Sequence, residues 1–286
     1  MPKGNLAADR VSDLLRAPAG PVDLRAIDAR ATPGFDGGKA DAERQAPALG
    51  ERLAMRQEQL FAEGRKGGSR SVLLVLQGMD TSGKGGTVKH VFGHVDPAGV
   101  HVASFGKPTP EELRHDFLWR IRAHLPRAGS LGVFDRSHYE DVVTVRVLGL
   151  VDEDTWTRRY DVINRFEEEL VAGGTRIVKC FLHISREEQK ERLLARLDDP
   201  TKHWKYNPED LDSRARWDDY MTAYGDAIER CGTEIAPWHV VPADRKWYRN
   251  WAIANLLIEE LDALGLRWPA ADFDVAAERA RLLAMP

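Results

Sequence analysis

Cysteine is scarce in this chain. Only Cys180 and Cys231 occur among 286 residues, and they lack the spacing of metal ligands. Two thiols in a chain of this size favour a reducing compartment over a secreted fold held by disulfides. We therefore predict that both are packing residues.

Long apolar runs and a positive net charge are missing as well. No run approaches the roughly 18 residues of a transmembrane helix, and the segment MPKGNLAADR contains no apolar signal core. The formal net charge of −4 argues against general nucleic-acid binding, so affinity for a polyanion would need a local basic surface. We expect a cytoplasmic protein with no membrane and no nucleic-acid partner.

The chain does contain an alternation of strand-like and helix-like segments. SVLLVLQ at 71–77 is a short, continuous apolar run, typical of a strand buried on both faces. Four further strands are predicted at 100–105, 130–135, 176–185 and 234–243. Helical patterns are predicted at 51–64, 87–95, 109–125, 153–174, 186–197, 211–231 and 247–264. This order predicts an α/β fold with a central parallel five-stranded sheet and helices on both faces.

The first 50 residues have a different composition. They are rich in glycine, proline, alanine and aspartate, and ATPGFDGG resembles a linker. We predict a partly ordered N-terminal extension at 1–50, followed by one domain at 51–286.

The segment QGMDTSGKGG, residues 77–86, has the context of a phosphate-binding loop, because it follows a strand and precedes a helix. Backbone N–H groups of such a loop favour phosphate oxygens, and Lys84 adds a positive charge. Loop residues predicted to contact phosphate are Gly78, Ser82, Gly83, Gly85 and Gly86. The alternative is a purely structural glycine-rich turn.

One position of this loop is unusual. Gly85 stands where a Ser or Thr normally helps to hold Mg²⁺. Asp80, inside the loop, can replace that hydroxyl, and Asp135 at the end of the strand at 130–135 can supply a second carboxylate. We predict that the two aspartates hold a metal beside Lys84. The alternatives are a helix-cap partner for Asp80 and a turn residue for Asp135.

The residues after Asp135 extend this candidate site. Arg136 carries a planar, permanent charge that suits a bridging phosphate, and its alternative is a surface salt bridge. Glu140 and Asp141 would position a second metal or an acceptor's cations, or else form a solvated loop end. His138 is assigned a structural role.

A basic segment lies between residues 176 and 216, with a polar stretch at about 196–216 that we interpret as a lid. A long polyanion needs a row of cations, and this segment supplies one. Its predicted phosphate ligands are Arg192, Arg196, Lys202 and Lys205. The alternative is a solvated helix that pairs with Glu187, Glu188 and Glu191.

Together, GMDTSGKGG and FDRSHYEDV closely resemble the family-2 polyphosphate kinases. The resemblance extends over about residues 50–266, through three further segments in the same order: SFGKPTPEELRHDFLWRI, RLDDPTKHWKYNPEDL and VVPADRKWYRNWAIA. It implies a P-loop kinase (thymidylate-kinase-like) fold of three layers with a helical lid. The implied reaction is the reversible, Mg²⁺-dependent transfer of a phosphoryl group between inorganic polyphosphate and a nucleotide, with Mn²⁺ as the alternative metal.

The resemblance also assigns roles. It implies that Asp80 and Asp135 are metal and catalytic carboxylates, that Lys84 and Arg136 bind phosphate, and that Arg196 and nearby lid cations hold the phosphate chain. Glu140 resembles the subgroup that phosphorylates AMP as well as ADP, whereas members restricted to ADP tend to carry Asn there. Guanine nucleotides are further candidate substrates, and a homodimer or homotetramer is expected.

Two other readings of the residues stay open. One is a conventional ATP-dependent nucleotide kinase on the same fold. The other is a nucleotide-sensing regulator without turnover, although Asp80 beside Lys84 counts against it, because binding alone gains little from a carboxylate that faces phosphates.

Overall fold

The computed structural model describes residues 10–286 and contains one parallel five-stranded sheet. The strands lie in the order β2-β3-β1-β4-β5. Their bounds are β1 Ser71–Gln77, β2 Val100–Ser104, β3 Leu131–Asp135, β4 Thr175–His183 and β5 Trp238–Pro242. All seven residues of β1 are buried, as expected for a central strand that is covered on both faces.

Eleven α-helices occur in residues 10–286. They are α1 Val11–Leu15, α2 Lys39–Arg65, α3 Lys84–Val91, α4 Trp119–Arg122, α5 Thr144–Val147, α6 Glu153–Ala172, α7 Arg186–Asp198, α8 Asp210–Ala215, α9 Trp217–Cys231, α10 Lys246–Ala263 and α11 Val275–Leu283. Short 3₁₀ helices lie at Leu24–Ala26, Pro97–Gly99, Glu112–Arg114, His138–Asp141 and Pro200–Lys205.

The helices form two layers. Helices α1, α2 and α3 contact α10, whereas α5 and α6 contact α9, and both groups pack on the sheet. With a phosphate-loop motif between β1 and α3, this is the three-layer P-loop kinase fold predicted from the sequence. Both cysteines are buried and free, as predicted.

The N-terminal region differs in extent from the prediction. Helix α2 begins at Lys39, and the boundary predicted at residue 50 falls inside it. Leu53 and Leu60 on this helix are buried against the domain, and so are Leu24 and Phe35 before it. Proline and glycine inside α2 disfavour a helix locally, so the sequence pattern did not predict its first half. Packing against α10 stabilises this part of the helix in the folded protein. Residues 1–9 of the predicted extension lie outside the described residues.

The helix predicted at 109–125 is wrong for most of its length. Thr109 does form the expected cap, because its hydroxyl accepts from the Glu112 N–H at 3.2 Å. The chain then makes only a 3₁₀ turn before α4. Asp116 accepts from the Leu118 N–H at 3.0 Å, a local hydrogen bond that competes with the helical pattern.

The helix predicted at 211–231 is divided into α8 and α9. The break lies at Arg216, whose guanidinium donates to the Val147 carbonyl at 2.8 Å. Helix α11 was not predicted, and none of its residues is buried. Within residues 10–286, no helix has both the length and the apolar character that crossing a membrane requires.

Candidate active site

The candidate site lies at the edge of the sheet where β1 and β3 end. The two strands are parallel neighbours, with Leu76 opposite Asp135, so the loop after β1 and the residues after β3 emerge side by side. In open parallel sheets this edge is the usual place for ligands. The sequence separates Asp80 from Asp135, and the strand register brings their segments together.

Two glycines allow the loop to take its shape. Gly78 has φ +144°, and a Cβ there would lie 2.7 Å from the Leu182 carbonyl oxygen. Gly83 has φ +106°, and a Cβ there would collide with the guanidinium of Arg249. Any larger residue would therefore push the loop away from the sheet or from α10.

The loop presents free donors at the start of α3. The backbone N–H groups of residues 83–86 make no hydrogen bond to the described residues, whereas the Thr87 N–H donates to the Gly83 carbonyl. Lys84 is buried, and its ammonium donates to the Gly78 carbonyl at 2.8 Å. Burial lowers the pKa of Lys84 and nearby Arg136 adds to this effect, while the carboxylates of Asp135, Asp80 and Glu140 oppose it. The cation thus sits among the carboxylates predicted from the sequence.

The Asp135 carboxylate lies close to the position at which the loop lacks a hydroxyl. A Cβ on Gly85 would lie 3.8 Å from Oδ2 of Asp135, so this carboxylate borders the space next to the unusual glycine. The Asp135 carboxylate makes no hydrogen bond or ion pair with residues 10–286. A hard-oxygen ligand is therefore free where an ordinary loop would place its Ser or Thr.

Asp80 and Arg136 form an ion pair across the mouth of the site. Arg136 Nη2 donates to Asp80 Oδ1 at 2.6 Å, and the Asp80 side chain is 18% exposed. Arg136 has φ +64°, rare for a residue with a side chain, and its N–H donates to the Leu76 carbonyl. This tight turn at the end of β3 directs the guanidinium toward the loop.

Two aspartates suit a magnesium ion, which takes few protein ligands, better than they suit a metal whose ligands all come from the protein. No group of three or more His, Cys, Asp or Glu side chains within residues 10–286 is arranged to hold a metal. Mg²⁺ commonly takes one or two carboxylates and completes its shell with water and substrate phosphates. The free Asp135 carboxylate matches that pattern, and Asp80 would exchange its partner Arg136 for the ion.

Arg192 requires a correction, because its guanidinium faces the protein instead of a phosphate chain. It is buried, and its five N–H bonds have acceptors at 2.7–3.0 Å: the carbonyls of Thr81, Ser82, Ala243 and Asp244, and the carboxylate of Glu188. Because every N–H of its guanidinium is bonded to the protein, Arg192 stabilises the loop and has no donor left for a phosphate chain.

Ser82, predicted to contact phosphate, lies inside the loop. Its side chain is fully buried, and its N–H donates to the Met79 carbonyl at 3.0 Å. The N–H of Ser82 thus closes the loop, while its buried hydroxyl has no hydrogen-bond partner among the described residues.

Arg249 is a support residue that sequence reasoning missed. Its guanidinium lies against Gly83 and donates to the Ser82 carbonyl at 3.3 Å. Burial lowers the pKa of Arg249 to about 10, with a further contribution from Arg192. The signal for it was an arginine inside WYRNWAIA, next to aromatic and aliphatic residues of α10.

The lid segment keeps its other cations nearer to solvent. Arg196 donates to the Lys205 carbonyl at 2.9 Å, and Lys205 lies over the ring of Trp204. Lys202 pairs with Asp199 at 2.7 Å and is half exposed. These three predicted ligands therefore border solvent on one segment, unlike Arg192.

Asp210 is an acidic residue of the lid that sequence reasoning did not single out. Its carboxylate lies 3.4 Å from Arg196. Burial raises the pKa of Asp210 to about 6, and the negative charge of Asp80 adds to the shift. The lid therefore brings a carboxyl group that holds its proton more tightly than an ordinary aspartate close to the loop.

A buried charge cluster anchors the turn after Asp135. Lys179 donates to Glu167 at 2.5 Å and to the Tyr139 hydroxyl at 3.0 Å, and all three side chains are buried. His138, assigned a structural role from the sequence, lies 3.3 Å from Glu167. Burial alone would raise the pKa of Glu167, but Lys179 and His138 outweigh it and lower the pKa. The turn that carries Arg136 and Glu140 is thus fixed from inside.

Comparison with known families identifies the family of the chain. Residues 38–266 match the family Polyphosphate kinase 2. The chain belongs to the polyphosphate kinase 2 family. It is therefore an enzyme that transfers phosphate, and the match covers the phosphate loop, the turn after β3 and the lid.

Similar relatives carry related names. The chain is 48% identical over 252 residues to the AMP/ADP-polyphosphate phosphotransferase of Meiothermus ruber, covering 88% of this chain and 93% of the relative. It is 40% identical over 247 residues to the ADP-polyphosphate phosphotransferase of Rhodopseudomonas palustris, covering 82% and 83%. The Polyphosphate:AMP phosphotransferase of Pseudomonas aeruginosa is 35% identical over 218 residues, and the match spans 76% of this chain and 44% of that protein.

A solved polyphosphate kinase 2 has the same fold. The crystal structure of Polyphosphate Kinase 2 from Arthrobacter aurescens TC1 superposes with a TM-score of 0.94 at 54% identity, covering 97% of this chain and 98% of that one. The structure of a protein described as a putative polyphosphate kinase 2 from Pseudomonas aeruginosa gives a TM-score of 0.76 at 32% identity, over 85% of this chain and 51% of that one.

Proposed function

We propose that this polyphosphate kinase 2 transfers the terminal phosphoryl group of inorganic polyphosphate to AMP and to ADP, reversibly and with Mg²⁺. The observation that carries the proposal is the free carboxylate of Asp135 beside Gly85, with Asp80 and Lys84 on the adjoining loop. The printed names of the relatives support the substrate classes.

The loop holds the phosphate that is transferred. Orphan N–H groups at residues 83–86 point to the start of α3, where a helix favours anions. Gly78, Gly83, Gly85 and Gly86 contribute backbone without side chains in the way, and Lys84 can exchange its bond to the Gly78 carbonyl for a phosphate oxygen. Arg192 and Arg249 keep the loop in this shape from behind.

Positioning and charge stabilisation would do most of the catalytic work. The attacking oxygen of AMP or ADP belongs to an ionised phosphate, so the reaction needs no general base. Lys84 and Arg136 would face the negative charge on the transferred group and fix its direction. A Mg²⁺ ion held by Asp80 and Asp135, or Mn²⁺ in its place, would neutralise phosphate oxygens when bound.

The lid supplies a path for the rest of the donor. Arg196, Lys202 and Lys205 lie on one segment that borders solvent, and a phosphate polymer needs several cations in a row. A nucleoside triphosphate would need a base pocket instead of this row. The lid therefore favours polyphosphate as the donor.

Glu140 would set the acceptor. It lies on the turn that begins with Arg136, and its charge acts on that guanidinium together with the charge of Asp80. Burial would lower the pKa of Arg136, but the carboxylates of Glu140 and Asp80 outweigh it and raise the pKa. The name of the Meiothermus ruber relative favours acceptance of both AMP and ADP. The alternative is an enzyme restricted to ADP and GDP.

A donor assay tests the proposal. The enzyme is incubated with Mg²⁺, polyphosphate and either AMP, ADP, GMP or GDP, without any nucleoside triphosphate, and the phosphorylated product is measured by ion-exchange chromatography. We expect ADP from AMP and ATP from ADP, and the reverse reaction should lengthen polyphosphate at the expense of ATP. Chelation of the metal should stop both directions, and added Mg²⁺ or Mn²⁺ should restore them.

The same assay separates the runner-up function. Phosphorylation of AMP by ATP, with none by polyphosphate, would identify a conventional nucleotide kinase and reject the proposal. Asp135→Asn should lower kcat by about a thousandfold, since it weakens the proposed metal site that offsets the negative charge on the transferred group. Asp154→Asn, on the exposed start of α6, is the control and should keep wild-type rates.

A further inference from the structure

Glu140 is held by hydrogen bonds at both carboxylate oxygens. The first comes from Thr144, the first residue of α5, whose hydroxyl donates to Oε2 at 2.7 Å. Thr144 lies four residues after Glu140, so this bond spans the passage from the turn after β3 into α5.

The second bond comes from Gln77, the last residue of β1, which is completely buried. With its amide nitrogen toward the site, Gln77 donates to Glu140 Oε1 at 3.0 Å, and its oxygen accepts from Ser137 N at 3.0 Å and from Ser137 Oγ at 3.1 Å. We assign this orientation because an ionised carboxylate only accepts, and the opposite orientation would bring two acceptors together.

The two donors fix where the Glu140 charge lies. Gln77 belongs to the central strand, and Thr144 belongs to a helix that packs on α9. Both donors are therefore held in place by elements outside the turn that carries Glu140. Arg136 pairs with Asp80, and the charge of the nearby Glu140 carboxylate also raises the pKa of this guanidinium. The negative charge that an acceptor phosphate meets therefore depends on the orientation of the Glu140 carboxylate.

We propose that Gln77 and Thr144 are positioning residues that set the preference between AMP and ADP by holding the Glu140 carboxylate against the acceptor site. This rests on the proposed function. ADP brings about one more negative charge than AMP, so a fixed carboxylate near the acceptor disfavours ADP relative to AMP. A carboxylate released from its two donors would turn toward solvent and discriminate less.

Thr144→Val tests the inference, because it keeps the side-chain shape and removes the donor. The quantity measured is the ratio of kcat/KM for ADP to kcat/KM for AMP, with polyphosphate as donor. We expect the ratio to rise about threefold to fivefold, since a hydrogen bond to a charged group is worth about tenfold and part of the loss is common to both acceptors. Thr144→Ser keeps a hydroxyl and should restore the wild-type ratio.

Two companion variants separate positioning from general damage. Glu140→Gln removes the charge itself and should shift the ratio in the same direction and by more than Thr144→Val. Thr222→Val is the matched control, because its hydroxyl also bonds four residues back on a helix, to the Asp218 carbonyl, but on an exposed face. It should leave the ratio unchanged. Thermal midpoints of all variants identify a loss caused by unfolding, which lowers both kcat/KM values together.

The outcomes are distinct. A ratio shifted by Glu140→Gln but not by Thr144→Val overturns the positioning role and leaves the proposed function standing. An unchanged ratio in Glu140→Gln overturns the selectivity role of Glu140 and the inference with it. Failure of the wild-type enzyme to use polyphosphate with either acceptor rejects the proposed function itself. A raised ratio in both variants, with recovery in Thr144→Ser, supports the inference.

Discussion

The arginines behind the phosphate loop and the two lysines on the lid differ in burial and in their partners. Arg192 and Arg249 are at most 8% exposed and donate to protein oxygens. Lys202 and Lys205 are exposed; the first pairs with Asp199 on its own segment and the second lies over Trp204. Both groups are basic residues near one site, yet only the second is free to meet a ligand.

This difference shows that positive charge serves two purposes here. The buried guanidiniums donate hydrogen bonds to the carbonyls of the loop and so keep its N–H groups directed at the ligand. They therefore contribute to catalysis by preorganising the loop. Exposed ammonium groups attract a polyanion over a longer range, and salt weakens that attraction. Substitutions in the two groups should therefore have different readouts.

The largest effect is expected behind the loop. Arg192→Met leaves three carbonyls, those of Thr81, Ala243 and Asp244, without a donor, and we expect a loss of about 3 to 5 kcal/mol in the free energy of unfolding. Urea denaturation measures it. Lys190→Met is the control, because this residue is exposed on the same helix. A loss below about 1 kcal/mol for Arg192→Met would remove the distinction between the two groups, since exposed substitutions change stability by that little.

An intermediate effect is expected where the lid meets the loop, at Asp210. Its pKa of about 6 in the folded protein lies above the ordinary value of 3.8, so the folded state holds the proton more tightly than the unfolded state. This contribution to stability is complete below about pH 3.8 and is lost as the pH rises through about 6. Its size is about 1 to 2 kcal/mol, reduced from the full shift because solvent reaches the lid.

Asp210→Asn has no proton to lose and should remove that decline. Unfolding free energies of both proteins are compared at intervals between pH 4 and about 7. We expect the variant to gain stability relative to the wild type as the pH rises through this window. Parallel curves would mean that neither burial nor the charge of Asp80 raises the pKa of Asp210.

The smallest effect is expected on the exposed lid. The double variant Lys202→Met, Lys205→Met should raise KM for polyphosphate about threefold at low salt with little change in kcat, because exposed charge pairs contribute weakly. The difference should shrink as salt is added, since the Debye length falls from about 10 Å at 0.1 M to 3 Å at 1 M. Lys66→Met, paired with Asp272, is the control. A salt-independent loss of kcat would place these lysines with the buried group.

Sequence patterns predicted the parts of the molecule that local chemistry dictates. The apolar run of β1 is a buried strand, and the loop after it contains glycines with positive φ where the motif places them. Asp135 follows an apolar strand, and its carboxylate lies beside Gly85. Each of these features depends on a few adjacent residues, so the local sequence contains the information.

The same reasoning failed where other contacts, local or distant, compete with the pattern. The segment 109–125 has good helical spacing, but it makes only a 3₁₀ turn before α4, and Asp116 accepts a local hydrogen bond from the Leu118 N–H. Arg192 shares a helix face with Arg196 in the sequence, yet its guanidinium ends among carbonyls from the loop and from β5's end. Charge alone does not reveal whether an arginine meets a ligand or the protein, because the partners come from segments far apart in the chain.

The amino-acid sequence by itself determined the alternation of strands and helices, the glycine loop with its lysine, and the two aspartates at strand ends. These follow from periodicity, backbone freedom and the ligand chemistry of carboxylates. Only the tertiary structure decided which cations are buried, that Gln77 and Thr144 hold Glu140, and that Asp210 shares the field of Asp80. Hydrogen bonding and desolvation depend on atoms that the folded chain brings together from distant positions.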